Sequence, residues 1–333
     1  MHIPDGYLGP QTYGTMYAAM TPIWIIAARK VKATLKTKQV PLLALGAALS
    51  FVIMMFNVPV VGSSTGHAVG STVIAIALGP WAAVIAVSLA LIIQALLFGD
   101  GGITAIAANC FNMAFLMPFV GYYTYRLIAG DNPSDKRRAA AAGIAGYVSL
   151  NAAAISTAVM FGVQPLIARG ADGRPLYAPY PLKIAVPAMA AEHLLAFGFV
   201  EAIVTALVVS YLARLDKSLV EMRPASSSLK WLWTGIGVLV LLTPIGALAP
   251  GTAWGEWGAE ELKRLLGFVP AGLGRLEGLW NSLMPDYSIP GLDNHPLIGY
   301  LIAAIIGTGF AVAAAWLLGK LLASKSGDKN AQT

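Results

Sequence analysis

The sequence predicts an all-α fold: a polytopic transmembrane helical bundle of about nine spans, with its N-terminus outside. Three observations carry this reading. Hydrophobic residues make up 57% of the 333 residues and charged residues 11%, against about 45–50% and about 25% in ordinary globular chains. The mean hydropathy is +0.69. The apolar residues also fall into runs, most of them near the ~20 residues that cross a ~30 Å hydrocarbon core. A net charge of +6 alone would suggest an acidic partner such as nucleic acid. The charges are too few to cover a soluble surface, so the expected partner is the lipid bilayer, with no nucleic acid.

The runs follow in order. MHIPDGYLGP has no basic segment ahead of an apolar run, so no cleavable signal peptide is expected. The first span runs roughly 11–28 and ends in RKVKATLKTK; the second runs roughly 39–56. NVPVVGSSTGH reads as a polar, Gly/Ser-rich loop. The stretch 66–79 is short and reads as a half-helix, re-entrant or crossing. A span over 81–98 follows, then GDGG, then a span ending near 127. Further spans are expected at 139–162, 183–212, 231–249 and 296–319. With an outer N-terminus and every run crossing, sixteen Lys and Arg fall on inner segments and six on outer ones. That is the positive-inside pattern, and it is kept only if 66–79 crosses. The chain divides into residues 1–222, with about seven spans, and 223–333, with two spans around an outward loop, 250–295. PASSS between them reads as a flexible linker.

The single cysteine, Cys110, excludes an intrachain disulfide or a thiolate cluster and reads as a small buried hydrophobe. Histidine chemistry has only His2, His67, His193 and His295 to draw on. A histidine at position 2 has a special geometry when the α-amine is free. The amine and the His2 amide nitrogen close a five-membered ring on a metal, and the amide and the imidazole Nδ1 close a six-membered ring. Three nitrogens then lie in one plane, and another imidazole would complete a square. Such sites favour Ni(II) or Cu(II), and displacing an amide proton disfavours Mg, Ca and Mn. Histidine in second place is too large for efficient removal of the initiator, so Met1 is expected to persist. Binding would release protons, so affinity should rise with pH.

Other polar residues leave two readings each. His2 is a chelating residue or simply part of a frayed terminus. His67, in SSTGH with Ser63 and Ser64, is a further ligand or a hydrogen-bonded interfacial histidine. Both lie on the expected outer face, which favours the metal reading for the pair. Glu192 and His193 sit inside the seventh span, where ionisable groups are costly and mark functional sites by default. They either satisfy helix packing or support the metal site from outside its ligand set. Glu201, nine residues beyond Glu192, points away from it. Asn109 and Asn112, with Gln94 one span earlier, are expected to bridge helices or line a polar chamber. Asp100 in GDGG reads as a turn or cap residue, and His295 in DNHP as a cap or interfacial residue.

MHIPDGYL, followed by SSTGH and by GDGGITAIAANCFNMAF, resembles the CbiM/NikM family over about residues 1–220. These are the substrate-binding membrane subunits of energy-coupling factor (ECF) transporters for cobalt and nickel. GTAWGEWGAE with its two spans resembles the small CbiN/NikN companion, fused at the C-terminus. The resemblance implies a metal held by the Met1 amine, the His2 amide nitrogen, the His2 imidazole and the His67 imidazole. It implies no permanently bound cofactor, Ni2+ or Co2+ as cargo, and no enzyme activity in this chain. It further implies a transmembrane partner of CbiQ/NikQ type and cytoplasmic ATPases of CbiO/NikO type. The sequence has no GxxxxGK[ST] phosphate loop of its own.

Two other classes compete. A stand-alone metal channel or secondary transporter would use 66–79 as a broken helix. An intramembrane hydrolase of the metalloprotease kind would need HExxH, which is absent, and SSTGH, where a serine could act, lies in an expected loop and not on a strand-to-helix turn.

Overall fold

A computed structural model describes residues 1–60, 64–215, 230–249 and 252–323. Ser63 and the linker expected at PASSS lie outside the described residues. Helix α1 spans Pro10–Thr34. Pro10 at its first position has the helical φ preset and no N–H to waste. The helix runs six residues past the expected apolar stretch, because Arg29, Lys30 and Lys32 are good helix formers and need no core to stay helical. Helix α2, Val40–Met54, is buried on nearly every side. Where a plain loop was expected, strands β1 (Val58–Val60) and β2 (Ser64–Gly66) pair antiparallel. Helix α3, Ser71–Leu78, is a half-helix of eight residues, about 12 Å long at ~1.5 Å per residue.

Helix α4 spans Pro80–Phe98 and α5 covers 106–129. Helix α6 runs Asp135–Ile167 and α7 Leu182–Leu215. Beyond the undescribed stretch come α8 (Lys230–Leu248), the short helices α9 (Ala259–Leu266) and α10 (Ala271–Leu276), and α11 (Pro296–Leu322). Five of these, α4, α6, α7, α8 and α11, are long and apolar enough to cross a membrane.

Neighbours in sequence pack as neighbours in space. α6 lies between α5 and α7, α2 lies between α4 and α11, and α3 is enclosed by α4, α5, α6 and α7. The outer faces remain apolar and open: Leu127 is 84% exposed, Leu195 78% and Leu321 79%. In water such faces would be an aggregation hazard; in hydrocarbon they need no partner. The protein is thus an all-α, multi-pass membrane bundle.

The C-terminal region is docked, not trailing. α11 packs on α2 and α4, and the loop before it closes over one end of the bundle. Tyr287 stacks on Phe98 at 4.7 Å between ring centres, Trp280 donates to the Leu96 carbonyl at 2.9 Å, and Leu273 shares the Leu176 carbonyl with Gly272. This is the end at which residue 1 lies.

Candidate metal centre

The first nine residues are folded into the protein. The Asp5 carboxylate accepts the N–H groups of Ile103 (3.0 Å) and Thr104 (2.8 Å), and the Thr104 hydroxyl as well. Asn109 works both ways on Ile3: its Oδ1 accepts the Ile3 N–H at 2.8 Å and its Nδ2 donates to the Ile3 carbonyl at 3.2 Å. That carbonyl also accepts the Gly102 N–H at 2.8 Å. Gly102 is a glycine of necessity, since a Cβ there would overlap the Asp5 backbone. Further along, Gln164 takes the Gly9 N–H at 2.9 Å. The result is a terminus with no fraying: Met1 is 7% exposed, His2 3% and Ile3 0%.

His67 approaches from the loop between β2 and α3. Its Nδ1 lies 3.0 Å from the Ala68 carbonyl. A carbonyl only accepts, so Nδ1 carries the proton and Nε2 of the neutral ring keeps a lone pair. That lone pair faces His2 Nδ1 at 3.2 Å. Asp100 Oδ1 faces the same His2 nitrogen at 3.0 Å. One proton on His2 Nδ1 therefore meets two acceptors, while His2 Nε2 is buried without a partner. A cation between the two imidazoles would turn this crowding into two ligand bonds. Two nitrogens each about 2.0–2.1 Å from a metal and at right angles lie about 2.9 Å apart, close to the 3.2 Å separation seen.

The Met1 ammonium donates to Glu256 Oε1 at 2.9 Å. Glu256 comes from the C-terminal loop, 255 residues away in sequence. Burial pushes its carboxyl above the usual range, and the ammonium beside it pulls the other way. Burial, and then the nearby N-terminal cation, push His2 down to about 3. His67 also lies well below its ordinary value, through burial and the neighbouring His2. Burial raises Asp100. The His2–Asp100 contact is thus a hydrogen bond from a neutral ring and not an ion pair, because the cost of burying an imidazolium outweighs the attraction. Neutral imidazoles are the form that binds metals.

The outer neighbours sort themselves. Met1, His67, Glu192, His193, Phe197 and Trp254 line a cavity of about 10 Å3, room for about one water. Glu192 and His193 therefore sit beside the candidate ligands. His193 Nδ1 donates to the Met189 carbonyl at 2.8 Å. Ser64 accepts the Trp254 N–H at 3.1 Å and ties the C-terminal loop to the hairpin. Asn112 plays a different part: its amide bridges α5 to Thr157 of α6 at 2.9 Å, away from the site. His295 stands at the N-cap position of α11 with no side-chain cap bond. Asp100 is more than a turn residue, since Tyr287 donates to its Oδ2 at 2.6 Å and Gln94 donates to Tyr287 at 2.9 Å. Among the described residues no three His, Cys, Asp or Glu side chains are grouped to hold a metal. An apolar cavity of about 450 Å3 between α2, α3, α7 and α8 is lined by no His, Cys, Asp or Glu.

Glu256 was invisible in the sequence, since nothing in GTAWGEWGAE marks it as a neighbour of residue 1. Its removal by Glu256→Ala is expected to weaken metal binding by about 10- to 100-fold, the usual cost of losing a group that orients a ligand. Glu256→Gln, which still accepts a hydrogen bond, is expected to fall between. Competition titration against a chelator of known affinity measures both.

Residues 2–219 match the family described as CbiM, cobalt uptake substrate-specific transmembrane region. The chain belongs to the CbiM family. The CbiM region contains His2, His67, Asp100 and Asn109, while residues 229–324 match a PDGLE domain, which brings Glu256. The fused nickel transport protein NikMN of Rhodobacter capsulatus is 48% identical over 332 residues, spanning 94% of this chain and 95% of that protein. The probable fused nickel transport protein LarMN of Lactiplantibacillus plantarum is 43% identical, spanning 92% of this chain and 93% of its own length. The crystal structure of a truncated transition metal transporter, 54% identical, superposes with a TM-score of 0.61 over 64% of this chain and 99% of that one. The CbiM region followed by the PDGLE domain is the arrangement expected from the likeness to CbiM/NikM with a fused CbiN/NikN.

Proposed function

We propose that this chain captures Ni2+ or Co2+ at the outer face of the cytoplasmic membrane as the substrate-specific subunit of an ATP-driven ECF transporter. The ligands are the Met1 amine, the His2 amide nitrogen, His2 Nδ1 and His67 Nε2. One observation carries this assignment: two buried neutral imidazoles face each other at 3.2 Å, beside a buried α-amine held by Glu256. His2 then supplies three donors in one plane with Met1, and His67 supplies the fourth. Asp100, Asn109, Ser64, Glu192 and His193 support the ligands from outside, as does Ser63, which lies outside the described residues.

The chain crosses the membrane nine times with its N-terminus outside and its C-terminus in the cytoplasm, residues 1–222 forming the metal-binding part and 223–333 the companion part. The basic residues support that orientation. An outer chamber of about 340 Å3, lined by Asp5, Glu256, Glu277 and Asp286, suits the approach of a cation. ATP hydrolysis belongs to CbiO/NikO-like partners, coupled through a CbiQ/NikQ-like membrane subunit. The planar nitrogen set favours nickel over cobalt, and the relatives that match nearly the full length are named for nickel.

Metal analysis of the purified protein, with the two ions in competition, tests the reading: stoichiometric binding of one or both is expected, and binding of neither would refute it. Proton release tests the ligands. Burial keeps both imidazoles neutral, so they release no protons, while the amine and the amide release one each. Calorimetry in buffers of different ionisation enthalpy should therefore find about two protons released per metal. A count of zero would eliminate the amine and the amide as ligands.

A further inference from the structure

Helix α7 carries a carboxylate that the proposed ligand set does not use. Glu201 is fully buried, with 0% exposure. Its Oε2 accepts the N–H of Val69 at 2.8 Å and of Gly70 at 3.2 Å, and its Oε1 accepts the Thr205 hydroxyl at 3.3 Å. The two backbone donors lie two and three residues beyond His67. Gly70 is the N-cap of α3 and has no side-chain cap of its own. Free N–H groups at a helix start need a partner when buried, and here a side chain from another helix provides it.

The same helix grips the chain ahead of His67. Gly66 lies against the Phe197 ring, so closely that a Cβ would sit 2.6 Å from Cε2 and Cζ. Phe197 ends a π-helical turn, His193–Phe197, one helical turn before Glu201. α7 thus holds the backbone on both sides of His67. The His67 ring is in turn tied to that backbone through Nδ1 and the Ala68 carbonyl.

We propose that Glu201 is the positioning residue for His67: it fixes the 66–70 backbone that aims Nε2 at His2, so that α7 carries the fourth ligand. The other three donors hang on other supports: the Met1 amine on Glu256 of the C-terminal loop, and the two His2 donors on a backbone pinned through Ile3 by Asn109 of α5 and through Asp5 by the loop ahead of that helix. A displacement of α7 against α5 therefore withdraws one ligand from the other three and opens the metal plane. α7 is built to bend, with Pro187 inside it and the π-helical turn one step before Glu201.

This inference rests on His67 being a ligand, and the test separates the two. Ni2+ binding is measured on the full chain in lipid nanodiscs for the parent, His67→Ala, Glu201→Ala and the double variant, by competition titration and by the visible absorption of the bound nickel. Glu201→Ala is expected to weaken binding about 10- to 100-fold and to move the spectrum toward that of His67→Ala. In the His67→Ala background the same change should cost less than about twofold, because a missing ligand needs no positioning. Glu201→Gln, which keeps an acceptor oxygen for Val69 and Gly70, should restore most of the affinity. An equal loss in both backgrounds, or no loss in the parent, would overturn the positioning role alone. An unchanged His67→Ala would overturn the ligand and its positioning together. Should Glu201→Ala fail to fold, Glu201→Asp takes its place: the shortened carboxylate must weaken nickel binding and shift the spectrum in the parent only, and an unaltered Glu201→Asp overturns the proposal.

Discussion

One extra residue ahead of Met1 is expected to lower nickel affinity by about 100- to 1000-fold. The added residue turns the Met1 amine into an amide and moves the true amine out of the plane, so one of the four proposed donors loses its place. Structural Zn2+ in zinc-finger peptides, which sets the scale, binds with about 10–16 kcal/mol. A quarter of that is about 2.5–4 kcal/mol, or about 100- to 1000-fold. The structure gives a second reason. Met1 is 7% exposed and its nitrogen already touches Glu256 at 2.9 Å, so the extension must displace that carboxylate to fit. Equilibrium dialysis of the extended protein, its new α-amine acetylated so that it cannot chelate, measures the loss, and retention of tight stoichiometric binding would remove the amine from the ligand set.

His67→Ala removes one donor and leaves its space open. The expected loss is about 100- to 1000-fold, a quarter of the same total binding energy. The vacated volume also makes a specific recovery possible: free imidazole in the medium should restore part of the affinity and the absorption of the nickel site. Recovery by imidazole but not by a similar-sized amide would identify the lost function as a nitrogen ligand. Unchanged metal uptake by His67→Ala would make His67 a structural residue.

The spans were legible because bilayer thickness imposes a length that composition cannot hide. α4, α6, α7, α8 and α11 lie within a few residues of their apolar runs. Errors arose where something other than hydrophobicity sets the boundary. α1 runs on through Arg29 and Lys30 because helix propensity suffices there. The β1–β2 hairpin rests on a register of three residue pairs that no alternating pattern announces. In the site, His2 and His67 were legible because so few histidines exist to choose from, and the folded chain does bring them together. Glu192 and His193 stood out through the cost of burying charge, and they line the adjoining cavity. Asn112 had the same polarity yet serves helix packing, since a buried amide satisfies either need. Asp100 and Glu256 were not legible as site residues. Both are ordinary acidic residues in Gly-rich loops, and their meaning comes from contacts with His2 and Met1 that only the folded chain creates.

The bond between Met1 and Glu256 also has a timetable. Its two ends are 255 residues apart, and a ribosome adding about 5–20 residues per second needs about 13 to 50 seconds to make the second after the first. Throughout that interval the starting residue, already across the membrane if the proposed topology holds, waits without its counter-charge. On the proposed topology, the nest for the terminus is finished only when the later loop has itself been translocated. Affinity tags and reporter fusions therefore belong away from the beginning of this polypeptide, and synthesis stalled short of residue 256 should yield inserted protein whose first residue is still open to amine-reactive labels.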